Sequence, residues 1–273
     1  MNERLAVSSA SVSALEDIVD YINDHVRQLA SGTAEPGFSA QSAVLEVRGG
    51  VVRARIGPFV LGSAPRALVP PGGSRPHARL AHIAVRLASG RPVAPDILFR
   101  LQSTAPALVA LDRLCRIVHM LQHLEQQRED EDLWLHVSLR HALAVTQGHG
   151  QFFDTLLRRC GLGPARIVLV LPVLPTDDSG FERYAAALAN YRVAGYRLAL
   201  DVREPCRETI RAALLELRPD WLRMRARDLA HLDAGAAAHG LLLRGAAADQ
   251  ALPAAQQLLF ENPLGALLPR FLL

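Results

Sequence analysis

Residues 166–202, RIVLVLPVLPTDDSGFERYAAALANYRVAGYRLALDV, decide how this chain is read. A short apolar run opens the stretch, a helical segment follows and closes at Gly195, and a second apolar run leads out to Asp201. Apolar runs bounded by turn signals read as buried strands, and a glycine after the last periodic residue stops a helix. The stretch is therefore a strand–helix–strand unit.

The same alternation extends on both sides. LAHIAVRL and DILFRL read as strands, ALVALDRLCRIVHMLQHL as a long helix, LWLHVSL as a strand and QFFDTLLRRCGL as a helix. Beyond Asp201, ETIRAALLELR reads as a helix and DWLRMRA as a strand. Strands alternating with helices at this spacing make βαβ units and a parallel sheet. So many units in succession favour an α/β fold of the (β/α)8 TIM-like barrel type, with a doubly wound sheet as the alternative. No GxGxxG or GxxxxGK[ST] loop follows any strand, so the fingerprints of dinucleotide-binding and P-loop proteins are missing.

The N-terminal region has a different pattern. Ser13 with Glu16 makes a capping box, and Leu15, Ile18, Val19, Ile22, Val26 and Leu29 form one stripe of a helix over 13–30. That stripe must pack on its own domain or on a second copy of the chain, because a lone amphipathic helix is marginal in water. VLEVRGGVVRARIGPFVLG alternates around Gly49-Gly50 as a hairpin does, and residues 63–79 have the Pro and Gly density of a linker. The expected division is residues 1–78 for helix, hairpin and linker, and 79–273 for the barrel.

The chain has 273 residues, half of them apolar, and a net charge of +3, too small to argue for nucleic acid. Every basic residue is arginine, so chemistry that needs a lysine ammonium is excluded. Cys115, Cys160 and Cys206 form no CxxC pair and imply neither a disulfide framework nor a zinc site. With no membrane-length apolar run and no signal sequence, a soluble cytoplasmic protein is expected.

His119 and His123 stand four apart on a helix, but Met120 follows the first where a zincin has glutamate, so surface or partly buried histidines are expected. No G-x-S-x-G elbow is present. EQQREDED at 125–132 reads as a solvated helix end and loop. Arg207, Arg211, Arg218, Arg223, Arg225 and Arg227 gather positive charge late in the chain, without a helix-turn-helix signature or an aromatic platform for direct nucleic-acid binding.

LASGRPVAPDILFRLQ resembles the opening of an EAL domain, the cyclic-di-GMP phosphodiesterase fold, whose signature is a glycine turn, Glu-Ala-Leu, one residue and Arg. Asp96-Ile97-Leu98 stands at the tripeptide and Arg100 at the arginine. LDR at 111–113, LHVSLRHAL, the stretch from Gly163 to Asp201, RPDWLRM and QLLFENPL at 257–264 resemble further family motifs in the same order. The resemblance covers residues 79–273 and implies an EAL-type barrel, shortened after Arg100.

It also implies a damaged site. The family holds two divalent cations at the barrel mouth, on carboxylates and an asparagine. Here the signature glutamate is matched by Asp96, the asparagine by Ser138 and the next glutamate by Leu171 or a neighbour. Of the paired aspartates only Asp201 remains, beside Val202; Arg223 matches the catalytic lysine, and LLLRGAAADQ has lost its glutamates. No metal, cofactor or catalytic residue is therefore expected. Asp96, Leu98, Arg100, Asp201 and Arg223 remain as remnants of a ligand site.

The resemblance points to the stand-alone EAL-like regulators, which repress gene expression, virulence or motility through a protein partner such as a transcription factor or response regulator. Two alternatives stay open, a cyclic-di-GMP receptor that does not hydrolyse and a residual phosphodiesterase. A homodimer through the stripe of residues 15–29 is a further candidate.

Overall fold

The computed structural model describes residues 15–24, 43–71, 75–126, 128, 130–144, 151–176, 178–232, 239–245 and 257–261. The chain begins with helix α1 (residues 15–24), the hairpin β1 (Val44–Arg48) and β2 (Val51–Ile56), and two long strands, β3 (Phe59–Val69) and β4 (Ala78–Leu87). There follow β5 (Pro92–Val93), α2 (Pro95–Arg100), α3 (Ala105–Glu125), β6 (Asp132–His136), α4 (Leu139–Ala144) and α5 (Gln151–Arg159). The remainder is β7 (Ile167–Pro172), α6 (Phe181–Val193), β8 (Arg197–Asp201), α7 (Arg207–Leu217), β9 (Trp221–Arg225), β10 (Gly240–Arg244) and β11 (Gln257–Glu261).

Strands β3, β4, β6, β7, β8, β9, β10 and β11 close into a barrel. Neighbours are parallel except at β3, which runs antiparallel to both β4 and β11. The joints are unequal. β9 and β10 pair over five residues, whereas among the described residues β11 meets β3 at Phe260↔Val69 and Glu261↔Leu68.

Period-two alternation explains why β7 carries no polar side chain. Its Val168 and Val170 belong to an inner cluster with Leu68, Ala78, Leu80, Trp134, Ala199, Trp221, Leu242 and Leu259, to which every barrel strand contributes. Ile167, Leu169 and Leu171 face the larger outer core beneath the helices. Two tryptophans dominate the lumen, Trp134 and Trp221, edge to face with centroids 5.2 Å apart. Gly240 makes room for them, since a Cβ there would stand 2.4 Å from the Trp221 ring.

Gly195 ends α6 with φ +91°, and a pair of bonds, Gly195 N–H to Arg192 O (2.8 Å) and Tyr196 N–H to Tyr191 O (3.1 Å), closes the turn. This left-handed glycine cap turns the chain directly into β8.

Three sequence expectations are corrected. DILFRL is not a strand: Pro95 starts α2 with its ring-fixed φ, Asp96 and Arg100 pair across one turn at 2.9 Å, and Leu98 is buried. Residues 63–69 and 78–79 are strand and not linker, because β3 continues to Val69, β4 begins at Ala78, and the two pair from Phe59↔Leu87 to Leu68↔Ala78. Pro65 is tolerated where the other edge of β3 passes between its pairing with β2, ending at Gly62, and with β11, beginning at Leu68. β3 and β4 are thus neighbours in one barrel. Finally, the charge run is not simply solvated. Glu131 pairs with Arg79 (2.6 Å) and Arg128 (3.3 Å), and Asp132 with Arg166 (2.9 Å).

The apolar stripe of α1 packs on its own chain. Leu15, Val19 and Ile22 are buried in the outer core, while Ser13, Val26 and Leu29 lie outside the described residues. Two carboxamides fasten the hairpin. Asn23 bonds both the N–H (2.8 Å) and the C=O (3.0 Å) of Leu45 on the edge strand, and Gln122 of α3 bonds Val52 N–H (3.0 Å) and Gly50 C=O (3.1 Å). Each amide reproduces the donor–acceptor pair that a neighbouring strand would offer.

Candidate functional site

In a parallel barrel the side chains that face the C-terminal mouth follow the lumen layer by one step of the alternation. Two residues beyond the lumen positions stand His82, His136, Pro172, Asp201, Arg223, Arg244 and Glu261, and two before Leu68 on the antiparallel β3 stands Arg66. One side chain from every strand thus makes a ring at the mouth.

Ion pairs hold the ring. Arg223, only 5% exposed at its side chain, donates from Nη1 to Asp201 Oδ1 at 2.8 Å and from Nη2 to Glu261 Oε2 at 2.9 Å. Arg203, from the loop after β8, donates from Nε to Asp201 Oδ2 at 3.0 Å, and Arg66 from Nη1 to Glu261 Oε1 at 2.8 Å. Arg244 Nη2 stands 3.6 Å from Asp201 Oδ1. His82 Nε2 is 3.7 Å from Glu261 Oε1, and its ring centroid is 5.4 Å from that of His136.

The protonation states follow from these neighbours. Burial alone would raise the Glu261 carboxyl, but His82 and Arg223 outweigh it and hold it at about 2. Burial likewise opposes the Asp201 anion, and Arg223, Arg203 and Arg244 together bring it below the usual carboxylate range. His136 is lowered to about 3, first by burial and then by His82 and Arg223, so its imidazole is neutral at pH 7.

Each of the four carboxylate oxygens of Asp201 and Glu261 accepts a hydrogen bond from an arginine. A hard divalent ion needs several free, negatively biased oxygens, and guanidinium groups at the same oxygens repel it. The donor set does not fit a pair of divalent cations. Among the described residues no group of three or more His, Cys, Asp or Glu side chains is placed to hold a metal ion.

Of the five remnant residues, the structure joins Asp201 to Arg223 in the mouth. Asp96 and Arg100 pair with each other on an exposed face of α2, with side chains 56% and 81% accessible. Leu98 is buried in the outer core. Of the other matched positions, Ser138 lies past β6, its N–H held by Asp112 Oδ1 at 3.0 Å, and it is His136 that follows the lumen alternation. Leu171 and Val202 face the outer core, and Pro172 takes the mouth position on β7.

Sequence reasoning missed Glu261, Arg66, Arg244, His82 and His136 as mouth groups. Counting two residues from each apolar lumen position would have found them. It also missed a buried cluster behind the mouth, where Asp112 Oδ2 meets Arg116 Nη2 at 3.1 Å and His141 Nδ1 at 3.0 Å and so fixes the junction of β6 and α4. His119 and His123 are buried, not on the surface, and His119 Nδ1 shares a 2.8 Å hydrogen bond with the Ser63 hydroxyl.

No family model matches the chain, and no curated protein sequence matches it. Solved structures do. The Bacillus subtilis YkuI protein, with an EAL domain and in complex with substrate c-di-GMP and calcium, aligns at a TM-score of 0.52 and 16% identity, over 68% of this chain and 49% of that one. The Xanthomonas citri FimX EAL domain in complex with c-diGMP gives 0.52 and 13%, over 70% and 78%. An EAL domain protein from Listeria monocytogenes EGD-e gives 0.51 and 12%, over 68% and 78%. The chain spans about half the length of YkuI. The barrel is therefore of EAL type in fold.

Proposed function

We propose that this chain is an EAL-type barrel without phosphodiesterase activity that acts as a regulator by contacting a protein partner, of the transcription-factor or response-regulator class, and so represses gene expression. One observation carries the reading: every carboxylate oxygen in the mouth ring is held by an arginine. In a two-metal hydrolase the ions would activate a water and neutralise the phosphodiester. Here the side chains of the mouth are spent on one another. The fold can persist without that chemistry, because the packed lumen and the mouth ring occupy different residues.

A second reading has its own support. The mouth is rich in guanidinium groups, Arg244 Nε is buried without a hydrogen-bond partner, and two of the similar structures hold the cyclic dinucleotide. A receptor that binds this anion without cleaving it would use those groups.

Affinity capture from native cell extract with mass spectrometry, paired with calorimetry, separates the two. The regulator reading expects a transcription factor or response regulator recovered in stoichiometric amount and no heat with cyclic-di-GMP. Saturable heat that disappears in Arg244→Ala would instead favour the receptor. Recovery of no such protein would sink the first reading.

A further inference from the structure

The carboxylates of the mouth ring are engaged, but its guanidinium groups are not all spent. Four arginines, Arg223, Arg203, Arg66 and Arg244, stand around the two acids Asp201 and Glu261, so the ring carries more positive than negative charge. Arg223 is enclosed and uses both ends of its guanidinium on the acids. The other three keep donors in hand. Among the described residues Arg203 bonds Asp201 through Nε alone and Arg66 bonds Glu261 through Nη1 alone, with side chains 67% and 46% exposed. Arg244 Nη2 stays 3.6 Å from Asp201 Oδ1, and its Nε is buried without a hydrogen-bond partner.

Strand register adds to the imbalance. Arg225 stands opposite Arg244 in the β9–β10 pairing, and like charges facing each other across a strand pair are destabilising. Burial first, and then Arg223, oppose the Arg244 cation, and Asp201 and Glu261 offset them only in part. Arg225 also donates to Arg203 C=O at 3.3 Å, which joins the ends of β8 and β9 into one basic rim. A rim of arginines held together against their own repulsion is a surface that an anionic partner relieves.

We propose that Arg66, Arg203, Arg225 and Arg244 form a docking surface for an acidic segment of the partner protein, whose aspartate and glutamate side chains take the unspent guanidinium donors. The inference rests on the regulator reading and adds the chemistry of the contact. Guanidinium forks match carboxylates two bonds at a time. Nucleic acid fits the rim less well, because no Trp, Tyr or Phe among the ring positions offers a base a stacking face, and Trp134 and Trp221 are buried in the lumen.

Binding of a labelled oligoglutamate peptide to the full chain, followed by fluorescence anisotropy at physiological ionic strength, tests the surface. Native protein is expected to bind saturably, and Arg203→Gln with Arg244→Gln to bind at least about tenfold more weakly. Arg158→Gln with Arg159→Gln removes the same charge from the exposed end of α5 and is expected to stay within about twofold of native. Should the first double variant fail to fold, Arg203→Gln alone is expected to weaken binding about threefold.

No saturable binding, or an equal loss in the two charge-matched variants, would overturn the inference and leave the regulator reading to stand on affinity capture. A single-stranded DNA of equal charge that binds more tightly through Arg203 and Arg244 would overturn it in favour of nucleic acid. Displacement of the peptide by cyclic-di-GMP at a lower concentration than by unlabelled oligoglutamate would overturn it in favour of the receptor. Failure to capture a partner protein would sink the regulator reading, and with it the assignment of the acidic segment to such a protein.

Discussion

The lumen layer and the mouth ring lie one step of side-chain alternation apart on the barrel strands, yet their chemistry is opposite. Trp134, Val170, Ala199, Trp221, Leu242 and Leu259 are buried and apolar; His136, Pro172, Asp201, Arg223, Arg244 and Glu261 follow them. The lumen is held by packing, which tolerates no missing volume. The mouth is held by charge, each acid answered by an arginine. The two layers occupy different residues, so the contrast can be pressed from both sides.

The largest effect belongs to the lumen. Trp221→Ala leaves a cavity beside Trp134 and Gly240 and is expected to cost about 4 kcal/mol in denaturant unfolding. A loss under about 1 kcal/mol would mean that the lumen is not the packed layer described here. In the mouth, Glu261→Gln leaves the enclosed Arg223 with one anionic partner in place of two and is expected to cost about 2 kcal/mol. A neutral outcome would show that the ring does not close the β11–β3 joint.

Acid distinguishes the groups further. His136 and His119 are both lowered from 6.5 to about 3, mainly by burial, so the unfolded chain binds protons that the folded chain refuses. Stability should therefore fall as pH drops from about 6.5 toward 3, by roughly 1 kcal/mol per pH unit for each histidine. Glu261 works in a different window. Its folded value of about 2 against 4.5 means its contribution is complete above pH 4.5 and lost as pH falls toward 2. Glu261→Gln should leave the slope between pH 6.5 and 4.5 unchanged and flatten it below, which urea titrations at stepped pH can measure. The smallest effect is expected at the exposed pair on α2, where Asp96→Ala should change stability by less than about 0.5 kcal/mol.

Much of the barrel could be read from the chain because β7, β8 and their connecting helix obey simple periods, and Gly195 marks the turn between them. α2 was misread because six residues are too few to display a helical stripe, and Ile97, Leu98 and Phe99 look like a strand when Pro95 is ignored. The end of β3 was misread because Pro65 and the Pro-Pro-Gly-Gly that follows suggest a linker, and only tertiary pairing shows a strand edge able to accept a proline.

At the site, Asp201 and Arg223 were visible because each ends a clear strand. Glu261 was hidden by sequence distance, since a partner that reaches Asp201's arginine through barrel closure leaves no local signal. The exposed pairing of Asp96 with Arg100 on α2 left no signal either, because a match to a motif position says nothing about whether the side chain faces the lumen or the solvent.

The most direct test is to incubate the purified native protein with cyclic-di-GMP and Mn²⁺ or Mg²⁺ and to follow the nucleotide by chromatography. If the arginines occupy the mouth carboxylates as described, the nucleotide stays intact at the rate of the protein-free control. Hydrolysis above that control, abolished by Asp201→Asn, would contradict the assignment of this mouth as closed to metal-assisted chemistry.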